Sequence, residues 1–392
     1  MIGNYAKKAI DFEFTFYLPT LIEFGYGKAS RMGEMLEQMG IKNVFLVTDK
    51  GVEAAGLLAG IVQSLESSNI RYVIYSDVEP DPSLETIDRG ASVFKEQSFD
   101  CILAVGGGSP IDTAKGIRVV VTNGGNIGDY AGVNRVAKKS EIPLVAVPTT
   151  SGTGSEVTIF GVYSDWENQV KVTVTSPYMA PEIALVDPEL TMSLPQKMTA
   201  ASGIDALAHG IETFFSLRSR PASDALAVEA MATVSAYLRR AVEDGTDKEA
   251  RIGMSQGSLL AGMAFNNGFL GLAHAIGSAL SGHCHVSHGV AIGLLLPKVV
   301  EFNARVRPEK AAKIAELLGV KGDREEVLAE QAAPAVASLV KEIGLPTRLR
   351  DVDVSEEKLP DIARDAFKSG MMKFNPRQPS LSEVLTLLQQ IY

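Results

Sequence analysis

Four short runs of unbroken aliphatic residues, most followed by helical periodicity, limit what the first half of this chain can become. They are Val44–Thr48, Arg71–Tyr75, Asp100–Val105 and Ile142–Val147, with helical patterns over Val52–Ser67 and Ser83–Glu96. A strand apolar on both faces has to be covered on both, which is the condition of a parallel sheet between helices. Ligands of such sheets bind outside the carboxyl ends of the strands. Val162–Leu185 reads as extra strands and loops, ending at Asp187-Pro188. After about Pro195 the pattern changes. Ala201–Phe215, Ala222–Glu243, Lys248–Ala264, Glu309–Leu318, Glu325–Ile343 and Leu381–Ile391 carry helical periodicity, and no strand pattern is evident. The chain is too long for one core, and domains of roughly 150–200 residues are expected. The reading is an α/β, Rossmann-like domain over 1–195 and an all-helical domain over 196–392.

Bulk properties narrow the partners. A formal net charge of −10 argues against nucleic acid or an anionic membrane surface. Lys7 and Lys8 precede no apolar stretch of signal-peptide type, and the longest apolar run, around Ile292–Pro297, is too short for a membrane span. Two cysteines, Cys101 and Cys284, make no disulfide framework, so a reducing cytoplasm is the expected location.

The third aliphatic run leads directly into Gly106-Gly-Gly-Ser-Pro-Ile-Asp-Thr-Ala-Lys115. Ser109 suits an N-cap, Pro110 the first helical position, and Asp112 a capping-box spacing. Gly106, Gly107 and Gly108 let the backbone approach a ligand closely, and the amides of a helix start attract anions. Pro148-Thr-Thr-Ser-Gly-Thr-Gly-Ser155 follows the fourth run, at the same sheet edge, and offers many donors with little bulk. Either loop alone could be an ordinary polar turn; two at consecutive strand ends point to a dinucleotide. Neither matches Gly-x-Gly-x-x-Gly, and Lys115 lacks the context of a Walker loop. Asp49 closes the first run. A carboxylate there accepts from a ribose 2′-hydroxyl and repels a 2′-phosphate, which favours NAD over NADP; a plain strand-end aspartate is the other reading.

All five histidines, His209, His274, His283, His285 and His288, fall within an 80-residue stretch of the helical half. Asp205 and His209 stand four apart, on one helix face, with Glu212 near the same stripe. His274 sits in an apolar, glycine-rich helical stretch and His288 before the helix Val290–Val300. Singly, each histidine reads as a hydrogen-bonded core or capping residue. Together, one carboxylate and three imidazoles suit a divalent transition metal with a position left for a substrate oxygen, and iron, zinc, copper and nickel all accept such donors. His283-Cys-His285 matches no structural zinc spacing; His285 is read as lining the pocket or supporting the ligands.

These motifs together resemble the iron-containing (group III) metal-dependent alcohol dehydrogenase family, from about Phe16 to the C-terminus. The resemblance rests on 106–115, on Pro-Thr-Thr-Ser-Gly-Thr-Gly-Ser-Glu at 148–156, on Asp-Pro-Glu-Leu at 187–190, on Gly-x-Asp-Ala-x2-His-x2-Glu at 203–212, and on His274 and His288-Gly. It implies a dehydroquinate synthase-like fold, with a dinucleotide domain, an all-α metal domain and an active cleft between them. It implies Asp205, His209, His274 and His288 as metal ligands, with Fe2+ favoured and Zn2+ the alternative. It also implies contacts to NAD from Asp49, Gly107, Gly108, Ser109, Asp112, Thr149, Thr150, Thr153, Phe160 and Lys171.

The expected chemistry is hydride exchange between a small alcohol and NAD, giving an aldehyde or ketone, with the metal as Lewis acid. The resemblance also implies a homodimer through the N-terminal segment. Hydroxyacid–oxoacid transhydrogenases, maleylacetate reductases and polyol dehydrogenases share the fold, and a nucleotide-binding protein without catalysis is the more distant alternative. Phe160, Val162, Phe265, Asn266, Asn267 and Phe269 are expected around the substrate. Two departures stand out. Many family members carry a histidine four residues after the third ligand, where this chain has Ser278, which leaves His285 or a serine–water chain for the proton. The family's Pro-Asn-Pro turn reads Pro80-Asp-Pro82.

Overall fold

The structure, a computed structural model, describes residues 13–392; Lys7, Lys8 and the rest of the first twelve residues, to which part of the dimer reading belongs, lie outside them. By its contacts the chain divides into two compact units. One is Pro19–Ser202 with Arg240–Ser255; the other is Gly203–Arg239 with Gln256–Tyr392 and residues 13–18.

The strands are β1 (Leu21–Phe24), β2 (Asn43–Val47), β3 (Arg71–Tyr75), β4 (Cys101–Gly106), β5 (Gly132–Val133), β6 (Leu144–Pro148), β7 (Phe160–Asp165), β8 (Val170–Thr175) and β9 (Ile183–Val186). Six form one sheet in the order β1-β9-β6-β4-β2-β3, every pair parallel. A second, small sheet has the order β5-β8-β7. The first helices are α1 (Met32–Gln38), α2 (Lys50–Ala54), α3 (Ala59–Ser67), α4 (Leu84–Lys95) and α5 (Gly108–Asn123).

Alternation along the strands builds two cores. Phe45, Val47, Ile102, Ala104, Leu144 and Ala146 pack with Ile87 of α4 and Ile111 and Ile117 of α5. Val44, Leu46, Leu103, Val105, Val145 and Val147 pack with Met32 and Leu36 of α1 and Ile61 and Leu65 of α3. Burying one such large aliphatic or aromatic side chain contributes about 1.5–3 kcal/mol, and a slip of one residue would exchange the two faces. From β2 the chain moves outward to β3, then returns to β4 and proceeds through β6 to β9 on the other side. That reversal lies between β2 and β4, which places the ends of β2, β4 and β6 side by side at one edge.

Two details differ from the sequence reading. Residues 52–67 are not one helix: α2 ends at Ala54, Gly56 turns left-handed at φ +71°, and α3 starts at Ala59. β1 is an additional strand, only four residues long; at the sheet edge it exposes Leu21 and Phe24, which hides the alternation of a buried strand. The Asp-Pro-Glu-Leu motif has a structural use. The buried carboxylate of Asp187, just beyond β9, accepts from the amides of Gly27, Ala29 and Glu189 at 2.8, 2.8 and 3.0 Å.

The later helices are α6 (Gln196–Phe215), α7 (Pro221–Glu243), α8 (Lys248–Gly268), α9 (Leu272–Cys284), α10 (His288–Ala304), α11 (Pro308–Leu317), α12 (Glu325–Glu342), α13 (Leu359–Lys368) and α14 (Leu381–Gln390). No strand occurs after β9 among the described residues, as the periodicity indicates. Ser380 and Glu383 close a capping box on α14. The returning stretch Arg240–Ser255 is bound into the sheet unit by Arg251, which donates to Thr199 Oγ1, Leu194 O and Gly245 O at 2.8, 3.0 and 2.9 Å, and by Ser255, 3.1 Å from Ser151. No single helix among the described residues is long and apolar enough to cross a membrane.

Candidate metal and cofactor sites

The turn from β4 into α5 is tighter than the capping motif expected from the sequence. The helix begins at Gly108, its N-cap is Gly107, and no side chain caps it. Ser109 therefore lies inside the first turn, where its Oγ accepts from the Asp81 amide at 3.2 Å. Pro110 folds back onto the turn so closely that a Cβ on Gly106 would stand 2.4 Å from its Cγ. A helix start without a side-chain cap leaves its first amides directed at whatever lies beyond the strand end.

The second loop packs directly on the first. A Cβ on Gly108 would meet Thr153 Cγ2 at 2.9 Å, one on Gly107 would meet Thr150 at 3.4 Å, and the buried Thr149 donates its amide to Gly106 O at 2.9 Å. Beneath them lies Lys115, fully buried. Its ammonium reaches Asp112 Oδ1 (3.3 Å), Ser155 Oγ (2.8 Å), Thr158 Oγ1 (3.1 Å) and Phe160 O (2.6 Å). Burial pushes the Lys115 pKa down, and Asp112 opposes that shift. Asp112 also accepts from Ser155 Oγ and from the Val162 amide. The Asp112 carboxylate thus joins α5, the second loop and β7.

Asp49 caps α2, with Oδ1 3.0 Å from the Val52 amide. Lys171 on β8 donates to Asp81 Oδ1 at 2.6 Å and Ser164 Oγ at 2.9 Å, so the aspartate of the Pro80-Asp-Pro82 turn holds a lysine expected near the nucleotide. Asp81 itself is left-handed, at φ +55°.

In the helical unit, one turn of α6 puts Asp205 and His209 on one face, and His274 in the first turn of α9 comes up beside them. One ligand-type atom from each of the three lies within 4.8 Å of the others, and all three residues are buried. From Asp205 Oδ1 the distances to Nε2 are 3.8 Å (His209), 3.3 Å (His274) and 3.5 Å (His288). His288, the first residue of α10, completes the group from its more exposed side. His209 is stacked between Phe265 and His274, with ring centroids 4.4 and 4.7 Å away. Asp205 Oδ1 and His274 Nε2 are buried and make no hydrogen bond. Two such unpartnered lone-pair donors close together, with two more imidazoles around them, fit a divalent cation.

The electrostatics agree. Burial would raise the Asp205 pKa, yet His209, His288 and His274 hold it far below the carboxylate range. Burial would depress the His274 imidazole, and the adjacent Asp205 and Glu212 carboxylates lift it to about 9. The site is therefore strongly biased toward holding positive charge next to Asp205.

Residues 19–188 match the family model described as iron-containing alcohol dehydrogenase, and residues 199–392 match its C-terminal counterpart, described as Fe-containing alcohol dehydrogenase family, C-terminal. The chain belongs to the iron-containing alcohol dehydrogenase family. It is 37% identical over 376 residues to the NAD-dependent methanol dehydrogenase of Bacillus methanolicus, covering 95% of this chain and 98% of that one. To the 1,3-propanediol dehydrogenase of Klebsiella pneumoniae it is 38% identical over 383 residues, 97% and 99% of the two chains. The crystal structure of 1,3-propanediol oxidoreductase matches with a TM-score of 0.94 at 38% identity, over 97% of this chain and 100% of that one. This iron-containing alcohol dehydrogenase is thus an oxidoreductase of CH–OH donors in an iron- and NAD-dependent family, with the α/β-plus-helical fold expected.

Several residues expected near the substrate of this alcohol dehydrogenase make contacts within the protein. Asn266 and Asn267, expected at the substrate, hold the main chain of Tyr17: Asn266 Nδ2 donates to its carbonyl at 2.9 Å, and Asn267 Oδ1 accepts from its amide at 2.6 Å. Phe269, left-handed at φ +61°, stacks on Phe374 at 4.6 Å. His285 ends α9 in the left-handed region and is exposed, while His283 Nε2 meets Asp365 Oδ2 at 2.6 Å. Phe265 escapes notice as a support for a ligand. Its only sequence signal is a position at the end of a helix preceding the glycine-rich stretch.

Proposed function

We propose that this enzyme interconverts a small alcohol and its aldehyde or ketone with NAD(H), using a ferrous ion held by Asp205, His209, His274 and His288. Zn2+ is the alternative the same donors accept. The observation that carries the reading is the buried pair Asp205 Oδ1 and His274 Nε2, 3.3 Å apart and without hydrogen bonds, among two further imidazoles. When bound, the metal supplies Lewis acidity toward an alcohol oxygen and NAD the hydride acceptor. The residues of the chain prepare for both. Asp205 stays ionised, Phe265 shields and orients His209, and the glycines with Thr149, Thr150 and Thr153 offer amides and hydroxyls to a pyrophosphate and ribose. Gly106 shapes that turn, Phe160 and Lys171 flank it on β7 and β8, and Asp49 keeps Oδ2 for a ribose hydroxyl. The reading divides the work between a dinucleotide domain over 1–195 and a metal domain over 196–392.

With serine at position 278, we assign the proton route to His285. The pH–rate profile of His285→Ala should lose a limb that wild type shows; an unchanged profile excludes this residue. The free thiols of Cys101 and Cys284 and the acidic charge support a cytoplasmic homo-oligomer without nucleic-acid or membrane partners, which sedimentation of the purified protein checks. For the central reading, protein purified without oxygen should carry about one metal per chain and reduce NAD with primary alcohols or diols in preference to hydroxy acids. Full metal content with no NAD-linked turnover across that panel refutes it.

A further inference from the structure

The helix that delivers His274 begins without a cap of its own, because its N-cap, Gly271, has no side chain to offer. The orphan amides of a helix start need partners when buried. Here they are satisfied by two residues distant in sequence. Glu212 on α6 accepts from Gly271 (Oε2, 3.1 Å), Ala273 (Oε1, 2.6 Å) and His274 (Oε2, 3.3 Å). Asn375 Oδ1 accepts from Leu272 at 3.3 Å. Asn375 is in turn held by a reciprocal amide pair with Asn303 of α10, at 3.0 and 2.7 Å, and by donating to Arg377 O at 2.6 Å. Only glycine fits at 271, since a Cβ there would meet Asn375 Oδ1 at 2.8 Å and Glu212 Oε1 at 3.3 Å.

The same Glu212 carboxylate lies 2.6 Å from Nδ1 of His274. A carboxylate surrounded by amide donors accepts, so in the neutral ring that a metal requires the proton of that contact belongs to Nδ1 and the lone pair to Nε2. Nε2 is the atom that stands without a hydrogen bond beside Asp205. One side chain therefore fixes both the backbone that carries the ring and the face the ring presents.

We propose that Glu212 is a positioning residue of the metal centre: it locks His274 in its Nδ1–H form with Nε2 toward Asp205, while Asn375 secures the start of α9. This rests on the reading of the four-residue cluster as a metal site. The test compares Co2+ affinity, measured by chelator competition, and the visible spectrum of the cobalt-loaded protein in wild type, Glu212→Gln and Asp205→Asn. Glu212→Gln should bind cobalt about 10–100-fold more weakly, with shifted d–d bands. A helix-capping role alone would lower only the melting temperature of the metal-free protein. Cobalt affinity within twofold of wild type and an unchanged spectrum overturn the proposal while leaving the site reading intact. If wild type takes up no cobalt, or Asp205→Asn binds it equally well, the site reading falls and the proposal with it. Should Glu212→Gln not fold, zinc-loaded wild type labelled with 15N-histidine decides: His274 must show its proton on Nδ1 and metal on Nε2, and the reverse overturns the assignment.

Discussion

At Glu156, just past the second loop, burial works against charge and lifts the carboxyl pKa to about 7, with Lys115 opposing only in part. An unfolded glutamate titrates near ~4.3. The folded protein therefore holds this proton more tightly, and its contribution to stability is full below that pH. It declines as pH rises to about 7, with a total loss on the order of 3 kcal/mol. Glu156→Gln removes the titration. The difference in melting temperature between the variant and wild type should widen by several degrees, in the variant's favour, from pH 5 to pH 8; a constant difference would refute the assignment. Asp49 is tested by Asp49→Asn, which keeps a cap acceptor for Val52 and removes the charge. The NADP-to-NAD ratio of kcat/KM should rise roughly tenfold, on the order of 1.4 kcal/mol of repulsion removed, with little change in melting temperature. An unchanged ratio would show that Asp49 only caps α2.

Between elements, the decisive contact is the Lys115 ammonium, which joins α5, the second loop and the start of β7. Removing it leaves Asp112 and Ser155 facing each other without a cation. Lys115→Met should cost about 3–5 kcal/mol in urea unfolding, the usual penalty for breaking a buried pair, and should raise the KM for NAD. A variant of normal stability would show that the cation is dispensable. This staple shows where sequence reasoning stops. The glycines and threonines of both loops were legible because their small size and φ freedom are properties of the residues themselves. The destination of Asp112 was not, since its partners lie 43 and 50 residues away. The meeting of Asp205 with His209 was legible because an i, i+4 pair falls on one helix face. The role of Glu212 was only half visible, as a stripe neighbour, because its partners sit on another helix. The short edge strand β1 and the break at Gly56 were missed because periodicity averages over windows longer than either.

For the whole molecule, the two glycine- and threonine-rich loops belong to the sheet unit, and the group of Asp205, His209, His274 and His288 to the helical one. Ligand that binds the native state at 100 times its Kd adds about 2.7 kcal/mol. NAD should therefore slow amide exchange around β4, α5 and β6. Chelation should hasten it in α6, α9 and α10 well before it does so in β2 or β3. Equal acceleration in both units would show that the metal stabilises the molecule globally.

The return of Arg240–Ser255 to the sheet unit bears on how the protein is made. Domains commonly fold in order as they leave the ribosome. A nascent chain with its first 202 residues exposed still lacks the segment that receives Ser151, Thr199 and the Leu194 carbonyl. The contacts that complete the sheet unit can form only after Ser255 has emerged, by which time α6 and α7, with Asp205 and His209, are already synthesised. Neither unit can therefore be cut out as one continuous fragment.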